Sequence, residues 1–306
     1  MEPLIDPVAR EEIERELTPE RFVRKTNKSD NQIYIITAAE CPNTMQEIGR
    51  LRELSFRDAG GGTGLSVDID DDDRAEDGYR QLIVWDPSAR EIVGGYRYIV
   101  STSSHPKHLS TEHYFRFSER FRQEFLPYTI ELGRSFVQPH YQSTRVNAKA
   151  IYALDNLWDG LGALIVRHPE ARYFFGKVTM YGEYNREARD ILLYFLRRYF
   201  PDKDRLIEPI YPIELRIDKE RFDAIFTGAD FSENYRILSQ EIRRRNENVP
   251  PLINSYMNLS SSMRVFDTVY NPDFGNVEET GILITISDIY PSKTERHTKW
   301  NEIELV

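Results

Sequence analysis

The residues best suited to chemistry lie in the segment 128–137, whose sequence is Tyr-Thr-Ile-Glu-Leu-Gly-Arg-Ser-Phe-Val. Its aromatic and β-branched residues are typical of a buried strand, yet Glu131 and Arg134 stand in its middle. A buried carboxylate and a buried guanidinium group are costly unless they are paired or used. Positions three apart face opposite sides of an ideal strand, so we expect a bulge at Gly133 that turns both charged groups to one side. The segment therefore predicts either a general base beside an anion-binding group or a structural ion pair.

The composition narrows the class of protein. The chain has 306 residues, of which 40% are hydrophobic and 29% are charged, as in soluble globular proteins. Its formal net charge of −10 argues against general nucleic-acid binding, so we expect no nucleic-acid partner. Cys41 is the single cysteine, which excludes an internal disulfide and fits a reducing cytoplasm. The acidic first residues and the lack of an apolar run near about 20 residues predict a cytoplasmic protein, with any membrane contact peripheral to the inner membrane.

Two further motifs have plain explanations. The glycine run 60–64 lacks the Gly-Lys-Ser/Thr that completes a phosphate-binding loop. The acidic run 68–77 matches a calcium loop only at Asp68, Asp70 and Asp72, so a solvated loop is the simpler interpretation. Some of these aspartates are nevertheless suited to a cationic substrate such as an ammonium group. The six histidines form no ligand pair at helical spacing, and we expect no metal site.

A phosphate site is suggested where the segment 128–137 leads into a helix. We expect this helix to begin after Ser143 or Thr144, with its N-terminus directed at the end of the strand. Free N–H groups at a helix N-terminus favour phosphate, and Arg145 and Lys149 would add positive charge. The alternative is an ordinary helix start with a basic first turn.

The hydrophobic periodicity predicts one mixed α/β domain. The predicted strands are 33–37, 81–85, 92–100, 128–137, 172–180, 263–269 and 281–287, and the predicted helices are 44–57, 143–167, 187–199 and 232–245. Asp6 and Pro7 predict the start of an N-terminal helix, and Thr44 with Glu47 predicts a capping box at the next helix. Arg97, a charged residue inside an apolar strand, is a third candidate for the site.

Several short motifs along residues 45–260 are individually weak but form an ordered set. They are Leu51-Arg52-x-x-x-Phe56, Arg57-x-x-Gly60-x-Gly62-Thr63-Gly64, Asp68-x-Asp70, Ile92-Val93-Gly94-x-Tyr96-Arg97, Glu131-Leu132-Gly133-Arg134-Ser135, Leu154-x-Asn156-Leu157-Trp158-x-Gly160 and Pro250-Pro251-Leu252-Ile253-x-x-Tyr256. The set resembles the GNAT acyltransferase superfamily, in the branch of ornithine-lipid and glycine-lipid N-acyltransferases that are often called hemolysin-like. Acyl-homoserine-lactone synthases and N-acyl amino acid synthases are more distantly similar.

The chain departs from the family pattern in two places. Gln81-Leu82 stands where the family has His-Leu, and the second aspartate of the usual pair is either Asp73 or Asp77. The stretch 142–149 takes the place of the glycine-rich loop that binds the pyrophosphate of coenzyme A. The resemblance therefore implies an acyl carrier protein as the acyl donor, with coenzyme A as the alternative.

The resemblance implies an α/β fold with a GNAT-like mixed, mostly antiparallel sheet, splayed central strands and flanking helices. It also implies an N-terminal helical arm at 1–30, a single acyltransferase domain at 31–290 and a C-terminal tail at 291–306. The donor thioester would lie in a cleft between the strand at 128–137 and the strand at 172–180.

The resemblance assigns roles to particular residues. Glu131 would deprotonate the acceptor amine, directly or through a water, and Arg134 would anchor the acceptor carboxylate or shape the electric field at Glu131. The other residues expected at the substrates are Arg52 and Phe56 near the acyl path and Asp70 at the acceptor ammonium group. Arg97, like Arg134, would anchor the acceptor carboxylate or shape the electric field at Glu131. The residues expected to hold the phosphopantetheine of the donor are Ser135, Phe136, Val137, Arg145 and Lys149.

The predicted reaction moves a fatty acyl group from acyl carrier protein to the amine of an amino acid, as in the synthesis of ornithine or glycine aminolipids. The donor is acyl-phosphopantetheine, and we expect no tightly bound cofactor. Two alternatives stay open: a non-catalytic GNAT-like scaffold that binds a lipid or a protein, and a coenzyme A-dependent N-acetyltransferase.

Overall fold

An eight-stranded sheet forms the centre of the computed structural model, which describes residues 1–143, 145–216 and 219–298. The strands, in chain order, are β1 (Phe22–Lys25), β2 (Gln32–Ile36), β3 (Arg80–Asp86), β4 (Glu91–Val100), β5 (Phe115–Phe117), β6 (Thr129–Val137), β7 (Tyr173–Met180), β8 (Ile207–Pro209), β9 (Arg264–Asn271) and β10 (Val277–Thr285). The order across the large sheet is β1-β2-β3-β4-β6-β7-β10-β9, and β5 pairs with β8 in a small second sheet.

Helices cover both faces of the large sheet. In chain order they are α1 (Arg10–Glu16), α2 (Pro42–Asp58), α3 (Asp71–Arg74), α4 (Ala150–Arg167), α5 (Arg186–Tyr199), α6 (Lys219–Ile225), α7 (Phe231–Arg243), α8 (Pro251–Met257) and α9 (Pro291–Thr298). The core on one face is built with α4, α5, α7 and α8, and α1 and α2 pack on the other face. Among the helices that the structure describes, none has the length and apolar character needed to cross a membrane.

Alternation along the strands decides which core each side chain joins. On β7, Phe174 and Val178 belong to the core that contains α4, whereas Phe175 packs on the opposite face with Phe117 and Phe266. Residues of neighbouring strands that lie opposite Phe175 share that second face. Because Glu131 of β6 is the direct partner of Phe175, its carboxylate enters this aromatic face.

The sheet is splayed between β6 and β7. These two strands run parallel, and their pairing ends at Leu132 opposite Gly176, although the strands continue to Val137 and Met180. The other neighbouring pairs are antiparallel. The predicted fold class, a mixed and mostly antiparallel sheet with splayed central strands between helices, is confirmed.

A bulge interrupts β6 just beyond the last pair with β7. The register of β6 against β4 shifts between Gly133 and Phe136, so that Arg134 and Ser135 together oppose Tyr96. Arg134 has a φ of 51°, a left-handed conformation that is strained for a residue other than glycine. The bulge therefore begins one residue later than the predicted position at Gly133.

The N-terminal segment packs against the rest of the domain, whereas the sequence predicts a mostly exposed arm. α1 begins at Arg10 without a side-chain cap, so the predicted start at Asp6 and Pro7 is wrong. Ile13 of α1 is buried in the core that contains α2. Within the segment predicted as a helical arm, β1 pairs with β2 at the edge of the sheet.

The start of α2 is capped by a residue from α1. α2 begins at Pro42 with Cys41 as its N-cap residue, so the predicted capping box at Thr44 is wrong. The carboxylate of Glu16 instead accepts the backbone N–H groups of Asn43 and Thr44, at 3.0 and 2.7 Å. An otherwise unpaired helix terminus is thus satisfied by a distant side chain.

α4 begins at Ala150, later than predicted, and Thr144 lies outside the described residues.

α9 occupies the first part of the predicted C-terminal tail, and Nδ1 of His297 lies 2.8 Å from a carboxylate oxygen of Asp159 on α4. The rest of that tail, 299–306, lies outside the described residues.

Candidate active site

A cavity of about 820 Å3 opens at the splayed end of β6 and β7. β6, β7 and β10 form one wall, and the loop with Ser110 and Thr111 and the start of α3 form another. Of the residues that the structure describes, nine with charged side chains line it, and the five that matter for the site are Asp70, Arg97, Arg134, Lys177 and Glu279. Its size is within the range of small-molecule sites, which measure about 300–1,000 Å3.

A narrower apolar cavity of about 70 Å3 lies on the α4 side of the splay. Leu157 and Trp158 of α4 and Tyr256 of α8 line it. The residues that line both cavities include Gly133, Arg134, Ser135 and Lys177. The two cavities therefore meet at the point where β6 and β7 separate.

Arg52 and Asp73 form a buried ion pair. Nη1 of Arg52 donates to Asp73 at 3.1 Å, and Nη2 donates to the side-chain oxygen of Gln81, whose amide nitrogen donates to Asp73 at 2.8 Å. Burial favours the neutral form of Asp73, but the charges of Arg52 and Arg97 outweigh it and lower the pKa of this carboxyl. Asp73 rather than the exposed Asp77 is therefore the aspartate that meets Arg52. Arg52, predicted near the acyl path, is completely buried in this network.

Arg97 of β4 and Asp70 at the N-cap of α3 both line the larger cavity and bind each other. Nη1 of Arg97 donates to the two carboxylate oxygens of Asp70 at 2.6 and 2.8 Å and lies 3.3 Å from Asp73. Burial acts against the charged form of Arg97, but the carboxylates of Asp73 and Asp70 raise its pKa above the ordinary value. The roles proposed for Arg97 and Asp70 at the acceptor stay predictions, and each group already has a partner of opposite charge.

Arg134 lines both cavities and is held by Asp68. Its Nε lies 2.9 Å from a carboxylate oxygen of Asp68, and its guanidinium carbon lies 4.6 Å from the ring centre of Phe274. Phe56 packs edge-on against Phe274 at 5.1 Å and also lines the larger cavity. Arg134 and Phe56 are thus brought to one cavity, as the prediction of a shared site requires.

Glu131 is buried behind the cavity wall. Its carboxylate accepts the backbone N–H groups of Ser110 and Thr111, both at 3.0 Å, and the hydroxyl of Tyr79. Burial raises the pKa of Glu131 to about 8, outweighing the two N–H donors, which act to lower it. Ser110 lines the larger cavity, and its hydroxyl lies 3.4 Å from Glu131, so it connects the buried carboxylate with the cavity.

Lys177 and Glu279 form an ion pair that the sequence-based prediction missed. Nζ of Lys177 donates to Glu279 at 2.5 Å, and the two side chains are 12% and 3% exposed. Glu279 also accepts hydrogen bonds from Asn271 at 3.0 Å and from Thr179 at 3.4 Å. Burial lowers the pKa of Lys177 against the opposing effect of Glu279. A charge inside an apolar strand singled out Glu131, and the same signal was present at Lys177.

The glycine run folds round a carboxylate of the protein itself. Glu53 of α2 is completely buried and accepts the backbone N–H groups of Thr63 at 2.9 Å and Gly64 at 2.7 Å. Gly60 and Gly62 adopt positive φ, which this tight path requires. The loop therefore binds an anion that the chain supplies, in agreement with the missing phosphate-loop signature.

The residues predicted to hold the donor lie in different surroundings. Ser135 lines both cavities, Phe136 is buried in the core that contains α2, and Val137 pairs with Gly94 of β4. The structure thus brings only Ser135 of these three side chains to the cavities. Over the described residues, no group of histidine, cysteine, aspartate or glutamate side chains is arranged to hold a metal ion.

The two basic residues predicted at the donor phosphate differ in exposure. Nζ of Lys149 donates to both carboxylate oxygens of Asp86, at 2.8 and 2.7 Å, whereas Arg145 is exposed. Burial favours neutral Asp86, but hydrogen bonds from Lys149, Ser88 and Tyr141 together lower its pKa to about 2. The phosphate-binding role of Lys149 and Arg145 stays a prediction.

Comparison with known proteins finds full-length relatives. Residues 51–151 match the family model described as an acetyltransferase (GNAT) domain. Over 302 residues the chain is 53% identical to a glycine N(alpha)-acyltransferase of Phocaeicola vulgatus and 54% identical to a protein of the same name from Bacteroides thetaiotaomicron. The alignments cover 97% of this chain and 93% and 90% of the two relatives. No solved structure matches the chain.

Proposed function

Because the chain belongs to the GNAT superfamily of amide-forming N-acyltransferases, we propose that it transfers a fatty acyl group from a phosphopantetheine thioester to the amine of glycine. Glycine is chosen as the acceptor because the chain is similar, over nearly its whole length, to proteins named glycine N(alpha)-acyltransferase. The product would be an N-acylated amino acid, from which an aminolipid is built. Such a product is amphiphilic, and the peripheral membrane contact expected from the sequence remains a prediction.

The splay between β6 and β7 supports a position for the thioester. Beyond Leu132 and Gly176, the facing edges of the two strands do not pair with each other, so backbone groups there can bind the amides of pantetheine. We place the thiol end of the pantetheine arm at the narrower cavity beside α4, with the thioester carbonyl near Gly133 and the rest of the arm extending along α4. A backbone N–H that points at this carbonyl would stabilise the oxyanion of the transition state.

The size of the larger cavity supports a long acyl group rather than an acetyl group. Its volume of about 820 Å3 greatly exceeds the space that glycine needs. Apolar side chains in its lining, among them Phe56, Met180 and Leu252, suit a hydrocarbon chain. The open cavity also supports a catalytic role over a scaffold with a blocked cleft.

Glu131 is the proposed proton acceptor, acting through Ser110. The acceptor ammonium group gives one proton to the Ser110 hydroxyl as the hydroxyl proton passes to Glu131. The neutral amine then attacks the thioester carbonyl, the carbon–sulfur bond breaks, and the departing sulfur takes the second proton lost by the nitrogen. A pKa of about 8 suits Glu131 to this transfer, because it lies much nearer to the pKa of an amine than the pKa of an ordinary carboxyl group does.

The surface at the start of α4 supports an acyl carrier protein as donor. Val146 and Ile151 are exposed, and Leu154 is partly exposed and also lines the narrower cavity. Arg145 adds an exposed positive charge beside them. An acidic carrier protein that docks here would direct its phosphopantetheine arm along α4 toward the splay.

A thiol-release assay with mass spectrometry tests this function. The purified protein would be given acyl chains on acyl carrier protein or on coenzyme A, with glycine, ornithine, serine or lysine as acceptor. We expect N-acylglycine from the carrier-protein donor. Product from coenzyme A alone would refute the proposed donor, and no acylated glycine from either donor would refute the proposed function.

Glu131→Gln, with Glu76→Gln as its control, separates catalysis from binding in the same assay. Glu76 is exposed and lies outside both cavities. We expect kcat to fall about 100-fold in Glu131→Gln and to stay unchanged in Glu76→Gln. A kcat within about threefold of the unmodified protein would contradict the base assignment.

A further inference from the structure

Lys177 and Glu279 occupy the place where an acceptor must meet the thioester. Lys177 is the first residue of β7 beyond the last pair with β6, across the gap from Gly133. Glu279 lies on β10 opposite Thr179, on the same face of the sheet. Both charged side chains line the larger cavity, and Lys177 lines the narrower one as well. Lys177 therefore lies at the junction of the two cavities, and Glu279 lies beside it in the larger one.

The other cationic groups near this junction are already neutralised by aspartates. Arg97 binds Asp70 through both carboxylate oxygens, and Arg134 binds the buried Asp68. These aspartates belong to the segment around α3, where Asp70 also accepts the backbone N–H of Asp73 as the helix cap. Displacing them would uncap the helix and leave buried charges unpaired, which is costly.

The Lys177 ammonium group has more capacity for a ligand. It carries three N–H donors, and the hydrogen bond to Glu279 uses one of them. In the part of the chain that the structure describes, Nζ makes no second hydrogen bond, and its other close contact is the Tyr114 ring, whose centre lies 4.5 Å away. A carboxylate in the cavity can therefore bind Lys177 without displacing another anion.

We propose that Lys177 and Glu279 form the binding site for the acceptor amino acid. The Lys177 ammonium group binds the acceptor carboxylate, and the Glu279 carboxylate binds the acceptor ammonium group. A zwitterion brings both charges at once: the two free N–H donors of Lys177 bind its carboxylate, and Glu279, which keeps its hydrogen bond to Lys177, binds its ammonium group. An amine without a carboxylate cannot replace this interaction, so the site selects amino acids over simple amines. This inference rests on the proposed function.

The test compares glycine with glycinamide, which has the amine but lacks the carboxylate. In the unmodified protein we expect kcat/KM to favour glycine. In Lys177→Met we expect this preference to fall at least tenfold, through a higher KM for glycine and with the KM for the acyl donor unchanged. Lys177→Arg keeps the positive charge and should retain part of the preference. The exposed Lys203→Met serves as the control and should keep all of it.

The ratio of the two acceptors does not depend on how much of a variant is folded, because both acceptors are measured on the same preparation. An unchanged ratio in Lys177→Met would overturn the inference, while N-acylglycine formation would still support the proposed function. Calorimetric titration with glycine, without any acyl donor, further separates a failure of the acceptor site from a failure of the proposed function. Glycine binding that weakens in Lys177→Met supports the site even when no product forms. If the unmodified protein neither binds glycine nor forms product, both the acceptor site and the proposed function are overturned.

Discussion

Replacing Glu131 with glutamine should change how the stability of the fold depends on pH. The carboxylate is 1% exposed, and its burial raises its pKa from an ordinary value of 4.5 to about 8. A carboxyl group whose pKa is raised by folding stabilises the folded state fully below its unfolded pKa. This stabilisation is lost as the pH rises through the folded value. The relevant window for Glu131 is therefore from pH 4.5 to about 8.

The size of the effect follows from these two pKa values. Linkage between protonation and folding gives a loss of about 3.5 kcal/mol in the free energy of unfolding between about pH 5 and about pH 8. Glutamine does not titrate, and its side-chain oxygen can still accept the N–H of Ser110 or Thr111. The stability of the unmodified protein relative to Glu131→Gln should therefore fall by about 3.5 kcal/mol across this range.

Urea denaturation at a series of pH values and constant ionic strength measures this difference. Subtracting the two proteins cancels the other titrating groups, and Glu76→Gln should show no such trend. A difference that stays constant with pH would refute the reasoning, since it would mean that folding leaves the pKa of Glu131 unchanged. A difference that grows in favour of the unmodified protein as pH rises would show that the N–H donors outweigh burial.

Three further predictions concern the packing around the site. Gly94→Ala places a Cβ 2.4 Å from the carbonyl oxygen of Phe136, so urea denaturation should show a loss of about 1–3 kcal/mol. Gly182→Ala should show little change, because its Cβ would lie 3.9 Å from the nearest atom, the carbonyl oxygen of Asn276. Glu53→Gln should cost about 1.5–3 kcal/mol at neutral pH. Burial acts to raise the pKa of Glu53, but its hydrogen bonds outweigh burial and lower this pKa. The carboxylate therefore stabilises the fold above pH 4.5, and this stabilisation is lost as the pH falls. A loss of stability in Glu53→Gln that persists at acid pH would contradict this. Burial raises the pKa of the Cys41 thiol to about 11, so an aromatic disulfide reagent should label it only after denaturation, and rapid labelling of the folded protein would disprove its burial.

The fold class and the strands that build the site could be predicted from the sequence, because strand alternation and helical spacing are local signals. The charged positions Glu131, Arg97 and Arg134 were visible for the same reason. Their partners were not visible, since a buried charge can be paired by any residue that the topology brings near it. Glu279, for example, meets Lys177 only because β10 pairs with β7.

The ends of elements were the least predictable part, again because distant residues decide them. The start of α2 depends on the carboxylate of Glu16, which lies in another helix. The bulge in β6 falls at Arg134 rather than Gly133, where local preference favours the glycine. Arg134 keeps its left-handed conformation while its side chain is bound to Asp68. A tertiary contact thus accompanies a backbone conformation that the local sequence disfavours.

Gln81 stands where the resemblance described above implies a histidine, and its side chain joins the buried pair of Arg52 and Asp73. Its amide carries an acceptor for Arg52 and a donor for Asp73, and both are used. A histidine at this position could satisfy the same two partners only in its neutral form, with one ring nitrogen accepting and the other donating. A protonated imidazole would have no acceptor to offer Arg52 and would add a third positive charge beside Arg52 and Arg97. Glutamine keeps the same hydrogen-bonding pattern at every pH, so the network behind the cavity does not depend on the protonation of residue 81.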